Sequence, residues 1–557
     1  MIASALLPHV ISATNGSGCA IPANGALPST GICTARASIH IPVSYRSIGP
    51  ILILFVGSLV LLIVSSLMRP RNRPGLWPGL TALIGVFAGV VSALQWADVG
   101  HHPTLTIAQQ VAYDRFSVLF MLLISVATVL GALSSDSYLR REGLDSVVPY
   151  VLMLLAGAGA MLMAASAGLI MVFLGLEIMS ISLYVMAAYH RRRRESGEAG
   201  LKYFVLGAFS SAIFLYGVAL MYGATGSTQF VEMGQFLATN TLAHTGVLLA
   251  GIVLVIVGLG FKVAAVPFHF WTPDVYQGSP TPFTGYMAAV AKAAGFAALV
   301  RVLMQGVPTQ QSNWRPAIWL IAVLTLLVGS VLAIAQRDVK RMLAYSSISQ
   351  AGYVLIGVQA GTTKGSASVA FFLFTYTFII IGSFMVVSLI QGEGEGRNDL
   401  GALRGLSRRR PALAGAMLVF LLAQAGVPLT SGFLGKFYVI QAAVQQGQYW
   451  LAVIGMLAAA VAAFFYLRVA LLMYSGTAPS GEGADDGTLT AGLRPVRHFD
   501  DVPGNGAPVA VLEQPPATKI AIPPADAVVL AVCVVFTIFA GVSGPIVELA
   551  QKATLIF

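Results

Sequence analysis

The sequence predicts an all-α polytopic membrane protein, and three features support that prediction. The chain has 557 residues, of which 57% are hydrophobic and only 10% charged, which is more apolar surface than a soluble fold can bury. It contains about fourteen apolar stretches of roughly 20 residues, the length that a helix needs to span a bilayer. Apolar and polar residues do not alternate within them, so they are helices and not strands of a barrel. The predicted spans, numbered in chain order, start near Ile51, Leu76, Phe116, Val147, Ala167, Leu201, Gly246, Thr281, Ala317, Leu343, Ala367, Leu413, Leu451 and Ala525.

The basic residues predict how the spans are oriented. The formal net charge is +10, but Lys and Arg lie in short loops and not on one soluble face, which argues against nucleic-acid binding. They cluster after odd-numbered spans, as in Arg191 to Arg194 and Arg408 to Arg410. Since short loops rich in Lys and Arg stay in the cytoplasm, we expect both chain termini on the outer side of the membrane.

The spans divide the chain into six predicted segments. Spans 4 to 8 and spans 9 to 13 form two blocks of equal span number that enter the membrane from opposite sides, which predicts an inverted repeat. The predicted boundaries are 1–47 (polar N-terminal extension, periplasmic side), 48–146 (spans 1 to 3), 147–305 (first repeat), 306–474 (second, inverted repeat), 475–523 (irregular cytoplasmic loop) and 524–557 (span 14 and the C-terminus).

The fourth span of each block is interrupted. Span 7 reads GFKVAAVPFHFW, and span 12 reads AQAGVPLTSGFLGKFYV. Proline removes a backbone hydrogen bond and bends or breaks a helix, and paired interruptions of this kind point to a transport path between repeats. We expect Pro267 to break span 7 so that water and backbone groups reach Lys262, and Pro428 to interrupt span 12 near Lys436.

The cysteines predict no metal or redox framework, because there are only three. Cys19 and Cys33 both lie in the outer extension, where a disulfide between them and two free thiols remain equally open. Cys533 lies inside span 14, where simple packing is expected.

Four ionisable residues lie deep in apolar spans: Glu177, Lys262, Lys292 and Lys436. A charge at the bilayer centre costs about 2.5–3.5 kcal/mol on insertion scales. Structural ion pairs or snorkelling would explain one such lysine, but three lysines and one acid cannot all pair internally. A lysine whose charge is opposed by desolvation and favoured by a nearby carboxylate can load and release a proton. The set therefore predicts a water-bridged proton relay.

Other polar residues give weaker signals. Lys202 is either an interfacial anchor or part of a proton entry, and His269 either passes protons from the cytoplasm or packs at the interface. Tyr345 and Gln350 belong to the polar stripe LAYSSISQAGY, which would hold water or pack small residues between helices. Arg301 is expected to snorkel or to pair.

Three motifs resemble a known family. LGLEIMSISLY, GFKVAAVPFHFWTPDVYQGSPTP and RMLAYSSISQAGY are similar to the antiporter-like membrane subunits of respiratory complex I, NADH:quinone oxidoreductase, which are related to subunits of multi-subunit Na⁺/H⁺ antiporters. TPDVYQG and the lysine in span 8 resemble the N subunits more than the L or M subunits. The resemblance covers roughly residues 51 to 474 and span 14.

The resemblance implies a fold and a set of roles. It implies fourteen spans, two inverted five-helix repeats and broken helices at spans 7 and 12. Glu177 matches a glutamate that pairs with the lysine of span 7, here Lys262. Lys292 matches the central lysine of the path, and Lys436 matches a lysine towards the outer exit. Gln350 stands where some relatives carry a histidine, so a relay through this position needs water.

The resemblance also implies partners and a location. The chain is expected to bind no cofactor itself, with NADH, FMN, iron–sulfur clusters and quinone held by partner subunits. It is expected in the bacterial inner membrane, in contact with lipid, between an antiporter-like neighbour and small subunits near the quinone site. The implied function is a non-redox, proton-translocating subunit driven by quinone reduction elsewhere.

Two other functions remain open at this point. The first is a subunit of a multi-subunit Na⁺/H⁺ antiporter, which runs on an ion gradient without a redox partner. The second is a structural role in which the buried charges only fix the packing of subunits. Sodium-dependent proton flux without NADH would indicate the antiporter, and pumping that survives loss of the deep lysines would indicate the scaffold.

Overall fold

Helices make up nearly all of the regular structure. The computed structural model describes residues 43–68, 75–100, 102–241, 245–396, 398–475, 522–542, 545–553 and 555, and the residues from Ser44 onward belong to one compact unit. Cys19, Cys33, nearly all of the predicted extension and most of the predicted 475–523 loop lie outside the described residues.

The helices follow the apolar stretches of the sequence, because every predicted span start lies in a helix or within two residues of the start of one. In chain order they are α1 (Gly49–Leu67), α2 (Leu76–Val99), α3 (Arg115–Arg141), α4 (Val148–Ala164), α5 (Leu169–Ala187), α6 (Arg194–Thr225), α7 (Phe230–Thr239), α8 (Thr245–Lys262), α9 (Trp271–Gly278), α10 (Thr281–Arg301), α11 (Gln311–Ile334), α12 (Val339–Gln359), α13 (Thr363–Gln391), α14 (Leu406–Arg409), α15 (Pro411–Ala425), α16 (Ser431–Gln445), α17 (Tyr449–Tyr474), α18 (Pro524–Val542) and α19 (Pro545–Lys552).

The helices fit a polytopic membrane protein. Within the described ranges, 11 helices are long and apolar enough to cross a membrane, and α4 and α15 are shorter apolar helices. The all-helical membrane fold is thus confirmed, whereas the full number of spans and the inverted repeat stay predictions. The helices at the centre are α10 and α13, because 94% of the apolar window of each is buried. Lys292 belongs to α10, so it lies in the middle of the bundle.

Both predicted helix interruptions are present. Helix α8 ends at Lys262, and α9 does not begin until Trp271. Helix α15 ends at Ala425 before Gly426, which has φ +90°. The first break contains Pro267, as predicted, and α8 ends just before Val263, the residue whose carbonyl a helical proline at 267 would clash with and leave without its hydrogen bond. Ala264 has φ +62°, a left-handed conformation that no continuing α-helix adopts, so the chain leaves the helix before the proline.

Several short elements were not predicted from the sequence. They are a hairpin of β1 (Thr104–Thr106) and β2 (Val111–Tyr113), in which Leu105 faces Ala112, and the short helices α7, α9, α14 and α19. The turn of the hairpin has positive φ at Ile107, Ala108 and Gln109. Turns of this kind usually contain glycine or asparagine. This turn contains neither at these positions, so the sequence did not predict it.

Candidate functional site

Lys262 is the last residue of α8, and its side chain is buried against α5 and α6. The residue is 3% exposed. Its ammonium donates to Ser180 Oγ at 2.7 Å and to Tyr203 OH at 3.5 Å. It also lies 5.4 Å from the Tyr203 ring centre and 5.7 Å from that of Tyr184, where aromatic faces favour a cation.

Glu177 lies one helical turn before Ser180 on α5, but it does not contact Lys262 directly. No ion pair within 4.0 Å joins the two residues, and the buried Oε1 of Glu177 has no hydrogen-bond partner in the described part of the chain. The structure therefore shows no direct pair between Glu177 and Lys262; the Lys262 ammonium contacts Ser180, whose hydroxyl donates to the Leu176 carbonyl. The role predicted for Glu177 stays a prediction.

Lys292 lies at the centre of the bundle without a protein partner. It is 3% exposed and forms no hydrogen bond or ion pair with any residue that the structure describes. Gly295, one turn further along α10, faces Lys262: a Cβ built on Gly295 would lie 3.7 Å from Cβ and Cγ of Lys262 and 2.7 Å from a methyl of Val263. Because Gly295 has no side chain, α8 and α10 can approach each other at this point. Lys262 therefore lies close to the turn of α10 that carries Lys292.

Lys436 lies next to the break between α15 and α16. Its ammonium donates to the backbone oxygens of Gln424 at 2.6 Å and Ala425 at 3.0 Å, which a continuous helix would use internally. Gln350 Nε2 on α12 donates to the same Gln424 oxygen at 3.0 Å. The Tyr353 ring centre is 4.6 Å from Nζ of Lys436.

The polar stripe of α12 forms a hydrogen-bonded network inside the protein. Ser346 donates to Gln424 Oε1 at 2.9 Å and contacts Tyr466 OH at 2.5 Å. Tyr466 OH also accepts from Gln350 at 3.2 Å, and Gln424 Nε2 donates to Ser383 at 2.9 Å. The stripe is therefore more than small-residue packing.

The weaker candidates lie apart from this network. Lys202 pairs with Asp274 at 2.8 Å and Glu198 at 2.7 Å, and its side chain is 41% exposed. His269 is buried beside Phe270, with Nδ1 lacking a partner among the described residues.

Tyr345 also lies apart from the network. It is half-buried against the apolar core, and no hydrogen bond to it is found in the described ranges. It therefore takes no direct part in the hydrogen bonds that link Ser346, Gln424 and Gln350.

Arg301 pairs inside the protein and does not snorkel. Its side chain is fully buried, and it bonds to Asp114 at 2.7 Å, to the Ala164 carbonyl at 2.7 Å and to Ser117 Oγ at 2.7 Å. Asp114 is also the N-cap of α3. Sequence reasoning missed Asp114, although an Asp directly before an apolar run is a recognisable cap signal.

A second buried ionic group was missed altogether. Glu395, in the loop after α13, binds Lys340 at 2.8 Å and Arg193 at 2.5 Å. Burial tends to raise the pKa of Glu395, but Lys340 and Arg193 outweigh it and hold the pKa at about 2. From the sequence, Arg193 is only one of the basic residues in the Arg191 to Arg194 loop. No group of three or more His, Cys, Asp or Glu placed to hold a metal ion is present in the described part of the chain.

Apolar helices packed around buried lysines, with two of these lysines at helix breaks, define an antiporter-like, multi-pass membrane subunit. The comparisons with known proteins agree. A family model described as "NADH:quinone oxidoreductase/Mrp antiporter, TM" matches residues 166–462. An NADH-quinone oxidoreductase subunit N from Trichlorobacter lovleyi is 42% identical over 439 residues, which cover 79% of this chain and 89% of that protein.

Two solved structures are also similar. A chain of respiratory complex I from Thermus thermophilus with bound aureothin aligns with a TM-score of 0.67 and 31% identity, covering 88% of this chain and 98% of that one. A chain of the Mrp complex from a Dietzia species aligns with a TM-score of 0.77, covering 92% and 97%. At 22% identity it shows the shared fold alone. The chain belongs to the family of NADH-quinone oxidoreductase N subunits.

Proposed function

We propose that this chain translocates protons in the membrane arm of an NADH:quinone oxidoreductase. Closely similar relatives carry the name of that complex, which favours this function over that of a Na⁺/H⁺ antiporter subunit. The chain supplies no redox chemistry in this proposal. NADH, FMN, iron–sulfur clusters and quinone belong to partner subunits, and reduction of the quinone drives the proton movement.

The observation that carries the proposal is the set of three buried lysines that lack a carboxylate partner. Lys262 and Lys436 each donate to hydroxyl or carbonyl oxygens, and Lys292 has no protein partner among the described residues. A permanently charged lysine in this position is costly, and a purely structural one would be paired. Neutral oxygen acceptors leave the lysine free to give up its proton, as a relay requires.

The relay follows the order in which these groups lie. Glu177 and Ser180 bias the protonation of Lys262, and the close approach at Gly295 brings Lys262 towards Lys292. From there, Gln350 and the hydroxyls around it lead to Lys436. Water must bridge the gaps, since Gln350 itself carries no charge. Moving one proton against 100 mV costs about 2.3 kcal/mol, which is within reach of a modest change in the surroundings of one lysine.

The surroundings of the chain are part of the proposal. We place it in the bacterial inner membrane with both termini outside, because the arginine-rich loops follow odd-numbered spans. Its neighbours would be an antiporter-like subunit on one side and small subunits near the quinone site on the other. The many exposed apolar side chains of α1, α2 and α6 suit lipid or such neighbours.

The test uses inverted membrane vesicles from cells that carry the tagged chain. Subunits that copurify are identified by mass spectrometry, and NADH-driven acidification is measured with and without sodium. Flavin and iron–sulfur partners, together with sodium-independent acidification that Lys292→Met abolishes, would support the proposal. Sodium-dependent proton flux without NADH, in a preparation that lacks redox subunits, would replace it with the antiporter function.

A further inference from the structure

A buried glutamate follows α13 and meets the arginine-rich loop at Arg193. Glu395 lies in residues 392–396, directly after α13, and is 2% exposed, although Gly394 and Gly396 on either side are exposed. Glu395 itself has φ +50° and Gly394 has φ +71°. An L-residue rarely adopts this conformation, so the loop turns the glutamate inward against local preference.

The carboxylate of Glu395 joins three helices. Its Oε2 binds Arg193 at the start of α6 and Lys340 near the start of α12. Its Oε1 accepts from the backbone N and the Oγ1 of Thr281, both at 2.9 Å, at the first residue of α10. Lys340 also donates to the Ser279 carbonyl at 2.6 Å. One side chain therefore fixes the first turns of α10 and α12 relative to each other.

These two helices carry groups of the proposed relay. Lys292 is on α10, and Gln350 is on α12. A shift of either first turn would be transmitted along a rigid helix to the relay, because packed helices move as units.

The same loop forms one wall of a charged cavity. The cavity has a volume of about 660 Å³, and its lining includes Arg192, Arg194, Lys202, Asp274, Gly278 and Glu395. The cavity does not extend past Gly278 to Ser279. Ser279 is fully buried, and its carbonyl accepts a hydrogen bond from Lys340, which also binds Glu395. Because the pKa of Glu395 is held at about 2, the carboxylate stays charged at cellular pH, and opening requires movement of the loop and not protonation.

We propose that Glu395 is a positioning residue that latches residues 392–396 over the cytoplasmic mouth of the proton path and sets the first turns of α10 and α12. The cytoplasmic assignment and the effect on transport depend on the proposed function, but the closure of the loop does not. A measurement of loop closure that does not depend on turnover therefore tests this proposal separately from the proposed function.

The experiment places a reporter thiol behind the latch. Ser279→Cys is suitable because Ser279 Oγ has no hydrogen-bond partner in the described ranges. The assembled complex in inverted vesicles is treated with a membrane-impermeant maleimide, and the parent chain with its three native cysteines gives the background. Labelling is compared with Glu395 intact, in Glu395→Gln and in Glu395→Asp. The control is Glu195→Gln, since Glu195 also approaches Arg193, at 3.8 Å, but is 66% exposed.

With Glu395 intact and in Glu195→Gln, labelling of the thiol should stay at background. In Glu395→Gln it should rise about tenfold or more, because removing one partner of a buried ionic cluster releases the local structure. NADH-driven acidification should fall in the same variant. Aspartate keeps the charge but is one methylene shorter, so Glu395→Asp should show a smaller rise in labelling. If the complex with Glu395→Gln does not assemble, the labelling of Glu395→Asp is the test. Background labelling in every assembled variant would overturn the proposal.

Discussion

Lys436 and Gln350, on α16 and α12, donate to the same backbone oxygen, that of Gln424, at 2.6 and 3.0 Å. The oxygen is available because α15 ends one residue later. The Lys436 ammonium and the polar stripe of α12 therefore belong to one hydrogen-bonded network. This contact gives the stripe a specific connection to Lys436.

Replacing Lys436 tests whether its proton matters or only its charge. Lys436→Arg keeps a cation and hydrogen-bond donors, but arginine does not release its proton in proteins. We expect both Lys436→Arg and Lys436→Met to lower NADH-driven acidification by about tenfold or more, the effect of removing a positioned proton-transfer group. The complex should still assemble. Near-normal acidification in the arginine variant would show that charge alone suffices.

Gly426→Ala should destabilise the break beside Lys436. Gly426 has φ +90°, and a Cβ there would lie 3.0 Å from Cδ of Lys436. We expect a loss of about 1–2 kcal/mol from the left-handed backbone, measured as a lower melting temperature of the purified complex. Gly415→Ala in the same α15 is the control. Nothing lies within 4 Å of its position, so alanine should be neutral or slightly stabilising.

Arg301 and Asp114 should be needed for assembly. Removing one partner of a fully buried ion pair costs about 3–5 kcal/mol because the other charge is left unpaired. We expect Arg301→Leu and Asp114→Leu each to reduce the amount of intact complex in native gels. Arg468→Leu serves as the control, since Arg468 makes an exposed contact with the Ile334 carbonyl. Equal yields for Arg301→Leu and Arg468→Leu would contradict this role.

Ser180 and Glu177 should both act on Lys262, Ser180 through the hydrogen bond that it accepts and Glu177 through its nearby negative charge. Ser180→Ala and Glu177→Gln then affect the same lysine, and their effects on turnover should not add. A double-mutant cycle measures this directly, with a coupling of at least about 0.5 kcal/mol expected for groups in one network. Additive losses would mean that Glu177 acts independently of Ser180.

The sequence was sufficient to predict the features that depend on local pattern. Hydropathy located the helices, and the Gly and Pro residues around Lys262 and Lys436 located the breaks. The burial of Lys292 followed from the apolar residues on either side of it. Each of these signals lies within a single helix or its ends, so one stretch of chain contains the whole of it.

The partners of the buried charges could not be predicted in the same way. Arg301 meets a residue 187 positions away, and Arg193 meets Glu395 202 positions away. No local pattern links such residues, and Glu395 is one acid in a polar loop that is otherwise typical of solvent-exposed chain. The expected contact between Glu177 and Lys262 also spans two helices, so no single stretch of chain could decide it; in the structure the Lys262 ammonium contacts Ser180.

The break between α15 and α16 has an electrostatic consequence. Lys436 binds the final carbonyls of α15, so its ammonium faces the carboxyl end of a half-helix. The aligned peptide dipoles place about half a negative charge there, worth roughly 0.3–2 kcal/mol to a cation. Such a fractional, immobile counter-charge cannot take up the proton, as a carboxylate could, and holds it less firmly than a full ion pair would. Lys436 thus has a counter-charge that is built from the backbone and remains in place whether the proton is present or absent.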